Sequence, residues 1–436
     1  MLVETVARPF NRLIARVVDV EPREVAGLVV AFVYFLCVLC AYYIIRPVRD
    51  EMGVAVGPAG LQQLFGIVFV VMLGAVPLFG WVVSRFARRL IVPVIYAFFV
   101  ACLLLFWGLL TGRSGASPDA LGSGVTSPWL ATTFFVWSSV FNLFIVSLFW
   151  CLMSDLWRTD QAKRLYGFIA AGGSVGALSG PLLTQAFVGR VGPANLLLFS
   201  ALFLIVATAA ALVLRRLFTG VVGGQTDMEP IGRGVLSGAV RVWQSPLLFR
   251  IALWVLLANL VSTLFYLEQS RIVGETLADR TQRVLLFSRI DLAVNVLTLV
   301  AQLFVTSRVL QRFGVTVGAI ALPAWALLGL LALAVSPTLA VIVTVMAVER
   351  IIAFALASPA VKVLYTGVEA QDKYKAQNFI DTVVYRGGDA ASGWLFNAAA
   401  KGLGLGAAGL AAVALPLGLV WLGLSVALGR STRRAD

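Results

Sequence analysis

The chain contains no histidine. That excludes a His-ligated metal site, and it leaves carboxylates as the groups able to carry protons near neutral pH. Cysteine is scarce too. Cys37, Cys40, Cys102 and Cys151 all fall inside apolar runs. Cys37-x-x-Cys40 lacks the soluble βαβ context of a redox motif, and without histidine it is not half of a zinc site. Charged residues make up only 13% of the chain. One long polar break occurs, at 215–246. The glycine-rich run GGSVGALSG has no following lysine and lies within an apolar run, so it is not a phosphate loop. No nucleophile–base pair or metal cluster stands out. The residues point away from an enzyme, and no cofactor is expected.

What is abundant is apolar sequence. Of 436 residues, 60% are hydrophobic, and the mean hydropathy is +0.94. No soluble domain of this size has that composition. Runs of about 20 apolar residues, each able to cross a hydrocarbon core of roughly 30 Å, recur along the chain. Twelve are expected: 25–46, 61–83, 90–111, 129–153, 165–188, 193–214, 247–268, 284–306, 315–335, 338–361, 378–400 and 403–429.

The net charge of +13 invites a nucleic-acid reading, but its distribution argues otherwise. With the N-terminus inside, the inner segments hold most of the Lys and Arg. That is the positive-inside pattern, with both termini cytoplasmic and a basic surface facing anionic lipid headgroups. Residues 1–24 are not a signal peptide. Arg8, Arg12, Arg16 and Arg23, with Phe10, Leu13, Ile14, Val17 and Val18 on one face, suggest an amphipathic helix on the inner membrane surface.

The polar break divides the spans six and six, giving an N-terminal bundle at 25–214, a cytoplasmic linker at 215–246 and a C-terminal bundle at 247–436. The halves share features in the same order. Ser84-Arg85 and Arg88-Arg89 follow span 2 as Ser307-Arg308 and Gln311-Arg312 follow span 8. Tyr42-Tyr43 matches Phe265-Tyr266, and Ala177-Leu-Ser179-Gly180 matches Ala390-Ala-Ser392-Gly393. Parallel six-helix repeats would explain this. Gly172, Gly176 and Gly180, and Gly402, Gly406 and Gly409, have the spacing that lets helices approach closely.

Charge at or in a span is costly and usually functional. Arg46, Arg49, Asp50 and Glu51 cluster at the end of span 1. Glu349 and Arg350 sit near the middle of span 10. Arg386 and Asp389 are i,i+3 neighbours in span 11 and can pair. Arg289 and Asp291, at i,i+2, face different ways. On one reading these are salt bridges that lock helices or gate bundles. On the other, Arg46, Arg49, Arg350 and Arg386 bind an anionic solute, since guanidinium suits bidentate recognition of phosphate or carboxylate. Asp50, Glu349 and Asp389 would then couple protons or counter-charge. Gating is expected at Asp155, Lys163, Glu268, Arg289, Asp291 and Asp381. Tyr42, Tyr43, Trp150, Tyr266, Tyr385 and Trp394 could stack on a base or sugar, or anchor and pack.

Gly80-x-x-x-Ser84-Arg85-x-x-Arg88-Arg89 resembles the span 2–3 loop motif of the major facilitator superfamily, with Ser84 and Ala87 replacing its usual Asp and Gly. Three further stretches resemble the ATP/ADP translocase family, a distant branch of that superfamily. They are Tyr43-Ile-Ile-Arg46-Pro-Val-Arg49-Asp50, the segment from Phe149-Trp150 to Asp160-Gln161-Ala162-Lys163-Arg164-Leu165-Tyr166, and Lys375 through Ile380-Asp381 to Arg386-x-Gly388. The resemblance covers the whole layout. It implies an all-α membrane protein, twelve helices in two pseudo-symmetric six-helix bundles. It also implies a monomeric secondary transporter or antiporter of a nucleotide-like anion in the inner membrane. This chain keeps the family's span-1 cation as Arg49, replaces its acid by Gln161, and reverses its span-11 cation at Asp389. Those departures leave the substrate open between a nucleotide and another anionic or zwitterionic metabolite. Two rivals remain on the same fold: a proton-coupled exporter of small molecules or drugs, and a non-transporting scaffold or sensor.

Overall fold

A computed structural model describes residues 20–85, 88–112, 127–157, 159–218, 235–365, 376–377 and 379–432. The expected surface helix falls largely in 1–19, outside the described residues. So do 219–234 of the polar break and the Lys163 side chain. Among the described residues the structure is helical, without strands. A chain in lipid must satisfy its backbone groups internally, and helices do so within each segment.

The helices, in order, are α1 (Val25–Gly57), α2 (Gly60–Phe79), α3 (Arg88–Gly112), α4 (Pro128–Leu156), α5 (Thr159–Val191) and α6 (Leu196–Leu217). After a short helix at Val235–Gln244 come α7 (Pro246–Thr276), α8 (Arg280–Thr306) and α9 (Ser307–Val335). The last three are α10 (Leu339–Leu364), α11 (Tyr385–Leu403) and α12 (Ala407–Thr432). Eleven helices among the described residues are long and apolar enough to cross a membrane, and α11 follows in the place of the remaining expected span. The protein is a multi-pass membrane protein.

Sequence explains the breaks. Gly57, at φ 77°, ends α1, and Gly314, at φ 79°, interrupts α9. Both angles favour glycine. Ser245 and Asp279 cap α7 and α8, each accepting from backbone N–H groups of the first turn, and Pro246 opens α7. The close-packing expected at Gly402 and Gly406 is not found. The chain leaves α11 through left-handed Gly404, and a Cβ on Gly402 or Gly406 would meet nothing within 4 Å. These glycines belong to a helix terminus, not a helix crossing.

By contact the chain forms two compact units. One holds the described parts of 1–49, 81–124 and 137–228. Here α5 crosses α1 on its glycine stripe. A Cβ on Gly172 or Gly176 would overlap the backbone carbonyls of Phe32 or Leu36, and one on Gly180 would stand 2.7 Å from Tyr43. Buried Tyr34 donates to the Tyr96 hydroxyl at 2.8 Å, and Tyr96 donates to the Ile145 carbonyl at 3.0 Å. The Phe35 and Phe149 rings stack 4.1 Å apart.

The other unit holds the described parts of 50–80, 125–136 and 229–436. The last turns of α1, all of α2 and the start of α4 thus pack with the second-half helices. Val54 shares a buried cluster with Val273, Phe287, Ile290 and Val294. Three π-helical turns interrupt this unit, at Gln302–Thr306, Ala353–Ala357 and Ile380–Val384. The first two meet. Gln302 donates to the Phe354 carbonyl at 3.2 Å, and Thr306 to the Ala355 carbonyl at 2.6 Å. Side chains thereby satisfy carbonyls near the second π-turn.

Candidate functional site

The second unit gathers most of the expected charges. Arg350 of α10 donates to Asp291 of α8 at 2.7 Å, with Asp291 only 1% exposed. A residue expected to bind substrate and one expected to gate are therefore bonded to each other. Arg289 is exposed while Asp291 is buried, as the i,i+2 spacing demands.

Glu349, one residue before Arg350, is buried and accepts a hydrogen bond from Ser262 of α7. The next residue along α7, Thr263, donates to Asp389 of α11 at 3.3 Å. Consecutive hydroxyls on one helix thus hold carboxyls from two others. Arg386 reaches the same Asp389 at 3.9 Å, a long pair whose guanidinium side chain is 33% exposed. Its plane lies near the Tyr385 ring, 5.7 Å from the centroid, and the Tyr385 carbonyl accepts from Asn259 of α7 at 2.8 Å.

Toward the Gly57 end, a second group of contacts joins first-half residues to second-half helices. Arg280 donates to Glu51 at 2.8 Å, and Glu51 is 1% exposed. Tyr266 donates to Asp50 at 3.1 Å. Gln62 of α2 accepts from Asn397 of α11. Phe65 packs edge-on against Tyr266. Of these residues, Asp50 is expected from the sequence to couple charge, Tyr266 to stack or pack, and Glu51 only to belong to the charge cluster ending span 1. Arg280 follows the cap Asp279 in the first turn of α8. Ser262 and Thr263 carry no charge to mark them. Glu268 spends its charge on its own helix, bonded by Arg271 at 2.8 Å.

The remaining expected residues are spread more widely. Arg46 lies over the Tyr43 ring at 5.6 Å, and Arg49 is half-buried one turn on. Asp155 stands in the electrostatic field of Arg215. Asp381 is exposed, with Lys362 in electrostatic range. Gln161 donates to Glu24 at 2.7 Å, and Arg164 reaches the same oxygen at 3.2 Å. Desolvation pushes the Glu24 pKa up, but the Glu21 N–H, Gln161 and Arg164 outweigh it and hold the group below the usual carboxylate value.

No family model matches the chain. It is 22% identical to ADP,ATP carrier protein 2 of Chlamydia pneumoniae over 369 residues, 72% of this chain and 67% of that protein. Its fold is that of solved transporters. A bacterial homologue of the iron transporter ferroportin, in an inward-facing state, superposes with a TM-score of 0.64 at 13% identity, covering 93% of this chain and 98% of that one. An auto-inhibited POT family peptide transporter gives 0.60 at 14% identity, with 94% and 97% covered. The nucleoside transporter NupG gives 0.55 at 14%, with 93% and 98% covered. The chain is a membrane transporter of small solutes. It has the major facilitator fold and is weakly similar to an ADP,ATP carrier protein.

Buried ion pairs are weak evidence for stability, because desolvation offsets much of their attraction. Guanidinium and carboxyl groups inside spans are costly and need compensating partners.

Proposed function

We propose that this transporter is a secondary active carrier of a small anionic metabolite, phosphorylated or carboxylated, working by alternating access across the cytoplasmic membrane. Both termini would be cytoplasmic, with six-helix halves at 25–214 and 247–436. One observation carries the reading. Glu51–Arg280, Tyr266–Asp50 and Asn397–Gln62 each tie a first-half residue to a second-half helix. Such ties must break for a solute to enter from that end, and they are built from polar pairs that can re-form. The long Arg386–Asp389 pair supports an anion, because a guanidinium held at 3.9 Å can be yielded to a carboxylate or phosphate. Arg49 and Arg46 would serve from α1. Arg350 would contribute field more than contact while bonded to Asp291.

A nucleotide is the first anion to try, given the relative's name. Gln161 does not weigh against it: its amide serves Glu24, a packing role compatible with any substrate. The test is counter-exchange in proteoliposomes loaded with unlabelled ADP and phosphate, following labelled ATP, then labelled phosphate and dicarboxylates. Entry that depends on internal anion and disappears in Arg386→Ala and Arg49→Ala is the expected result. Failure of every anion to enter, with protein folded and inserted, overturns the reading.

A further inference from the structure

Three carboxyls and two guanidinium groups share the interior of the second unit, and the bonds between them are unequal. Asp291 has Arg350 at 2.7 Å. Asp389 has Arg386 at 3.9 Å and the Thr263 hydroxyl at 3.3 Å. Glu349 is bonded by the Ser262 hydroxyl, and the guanidinium beside it in the chain is turned to Asp291. With all five ionised the group carries one excess negative charge, and that charge falls on the carboxyl without a bonded cation.

Among the described residues, no further cation is bonded to Glu349. The helices packed against α10 are α7, α8 and α9. On α7, Arg250 is exposed at one end, while Glu268, Arg271 and Glu275 bond one another at the other. On α8, Arg280 is given to Glu51, Arg283 to the Leu277 carbonyl and Arg289 to the exterior. On α9, residues 315–335 include no charged residue. Lys362 on α10 itself, and Asp381 and Lys401 around α11, are exposed. Glu349 is 5% exposed. An uncompensated carboxylate buried in apolar surroundings costs far more than the neutral acid making the same hydrogen bond.

We propose that Glu349 is the proton-carrying group of this transporter, so that H⁺ is a co-substrate, with Ser262 as its positioning residue. Loss of the proton leaves an extra negative charge that an anion at Arg386 would oppose. The proton alone brings the five groups to neutrality, and that removes the repulsion an anion at Arg386 would otherwise meet. Proton movement is thereby tied to the anion movement proposed above. Asp389, already beside a guanidinium, does not take this role.

The test is infrared spectroscopy of the full-length protein in liposomes between pH 5 and pH 9 in the absence of any solute. The C=O stretch of a protonated, non-aqueous carboxylic acid is expected in the wild type and in Asp389→Asn, and is lost in Glu349→Gln. Glu349→Gln matches the neutral acid in size and still accepts from Ser262, so it folds. Ser262→Ala keeps the band but shifts it to higher frequency, which a merely structural role for Ser262 would not do. Persistence of the band in Glu349→Gln, its disappearance in Asp389→Asn, or an unshifted band in Ser262→Ala overturns the proposal. In the same vesicles, Glu349→Gln should lose pH-gradient-driven accumulation of an accepted anion. A wild type that shows the band and moves no anion sinks the anion reading and leaves the proton site standing, so the two failures are distinguishable.

Discussion

Glu51 and Arg280 are 229 residues apart in the chain and 2.8 Å apart in space. Glu51 belongs to the polar cluster that ends α1, and Arg280 opens α8. Their bond joins the two halves of the sequence where the carboxylate has almost no access to solvent.

Breaking that pair from one side leaves a buried charge, a change that typically costs about 3–5 kcal/mol. Arg280→Ala should therefore lower the melting temperature clearly. It should also increase labelling of a cysteine placed at Val54, now 6% exposed, by a membrane-impermeant maleimide. The swap Glu51→Arg with Arg280→Glu should recover part of both. Unchanged labelling in Arg280→Ala would show that the pair does not hold this end shut.

The α1–α5 crossing makes a prediction with an internal control. Gly176→Val should reduce folded yield or stability by at least the roughly 1–3 kcal/mol typical of overpacking, because the clash is with backbone. Gly189→Val, on the same helix but with open space beside it, should have little effect. Size-exclusion recovery and thermal melts of the purified variants decide this.

Glu24 gives a pH prediction. Its folded pKa lies below the ordinary value of 4.5. Its stabilising contribution is therefore complete above pH about 4.5, and fades as pH falls through the lower, folded value. The melting temperatures of wild type and Glu24→Gln should differ at neutral pH and converge in acid. Gln161→Glu would set a second carboxylate against the first. It should destabilise the protein at neutral pH, and adding Glu24→Gln should reverse much of the loss.

Arg350 and Asp291 can be tested as a pair. Arg350→Leu alone strands a buried carboxylate and should be strongly destabilising, whereas Arg350→Leu with Asp291→Leu should melt near the wild type. If the double variant still transports, the pair serves structure. Loss of transport with stability intact would assign it to the transport cycle.

Some of the site was legible before any coordinates. The Arg386–Asp389 pairing follows from i,i+3 spacing, and the opposite fates of Arg289 and Asp291 from i,i+2. The glycine stripe of α5 announced its own crossing. The stripe near the start of span 12 misled, because spacing alone cannot tell a helix crossing from a helix end. Ser262 and Thr263 were missed for a different reason. A hydroxyl in an apolar span bonds the previous turn of its own helix as readily as a partner, so the residue type carries no signal of the second helix.

Composition and hydropathy by themselves determined that this is a multi-span helical membrane protein, since in lipid the backbone must bond within each segment. They also determined that any proton carrier must be a carboxyl. Which charges meet was decided by tertiary structure alone. Arg350 could have bonded its neighbourhood on α10, yet it reaches Asp291, and that choice leaves Glu349 to a hydroxyl. The difference between a paired and an unpaired carboxylate is large in a low-dielectric interior. It depends on which helix lies alongside, and no local pattern in the chain encodes that.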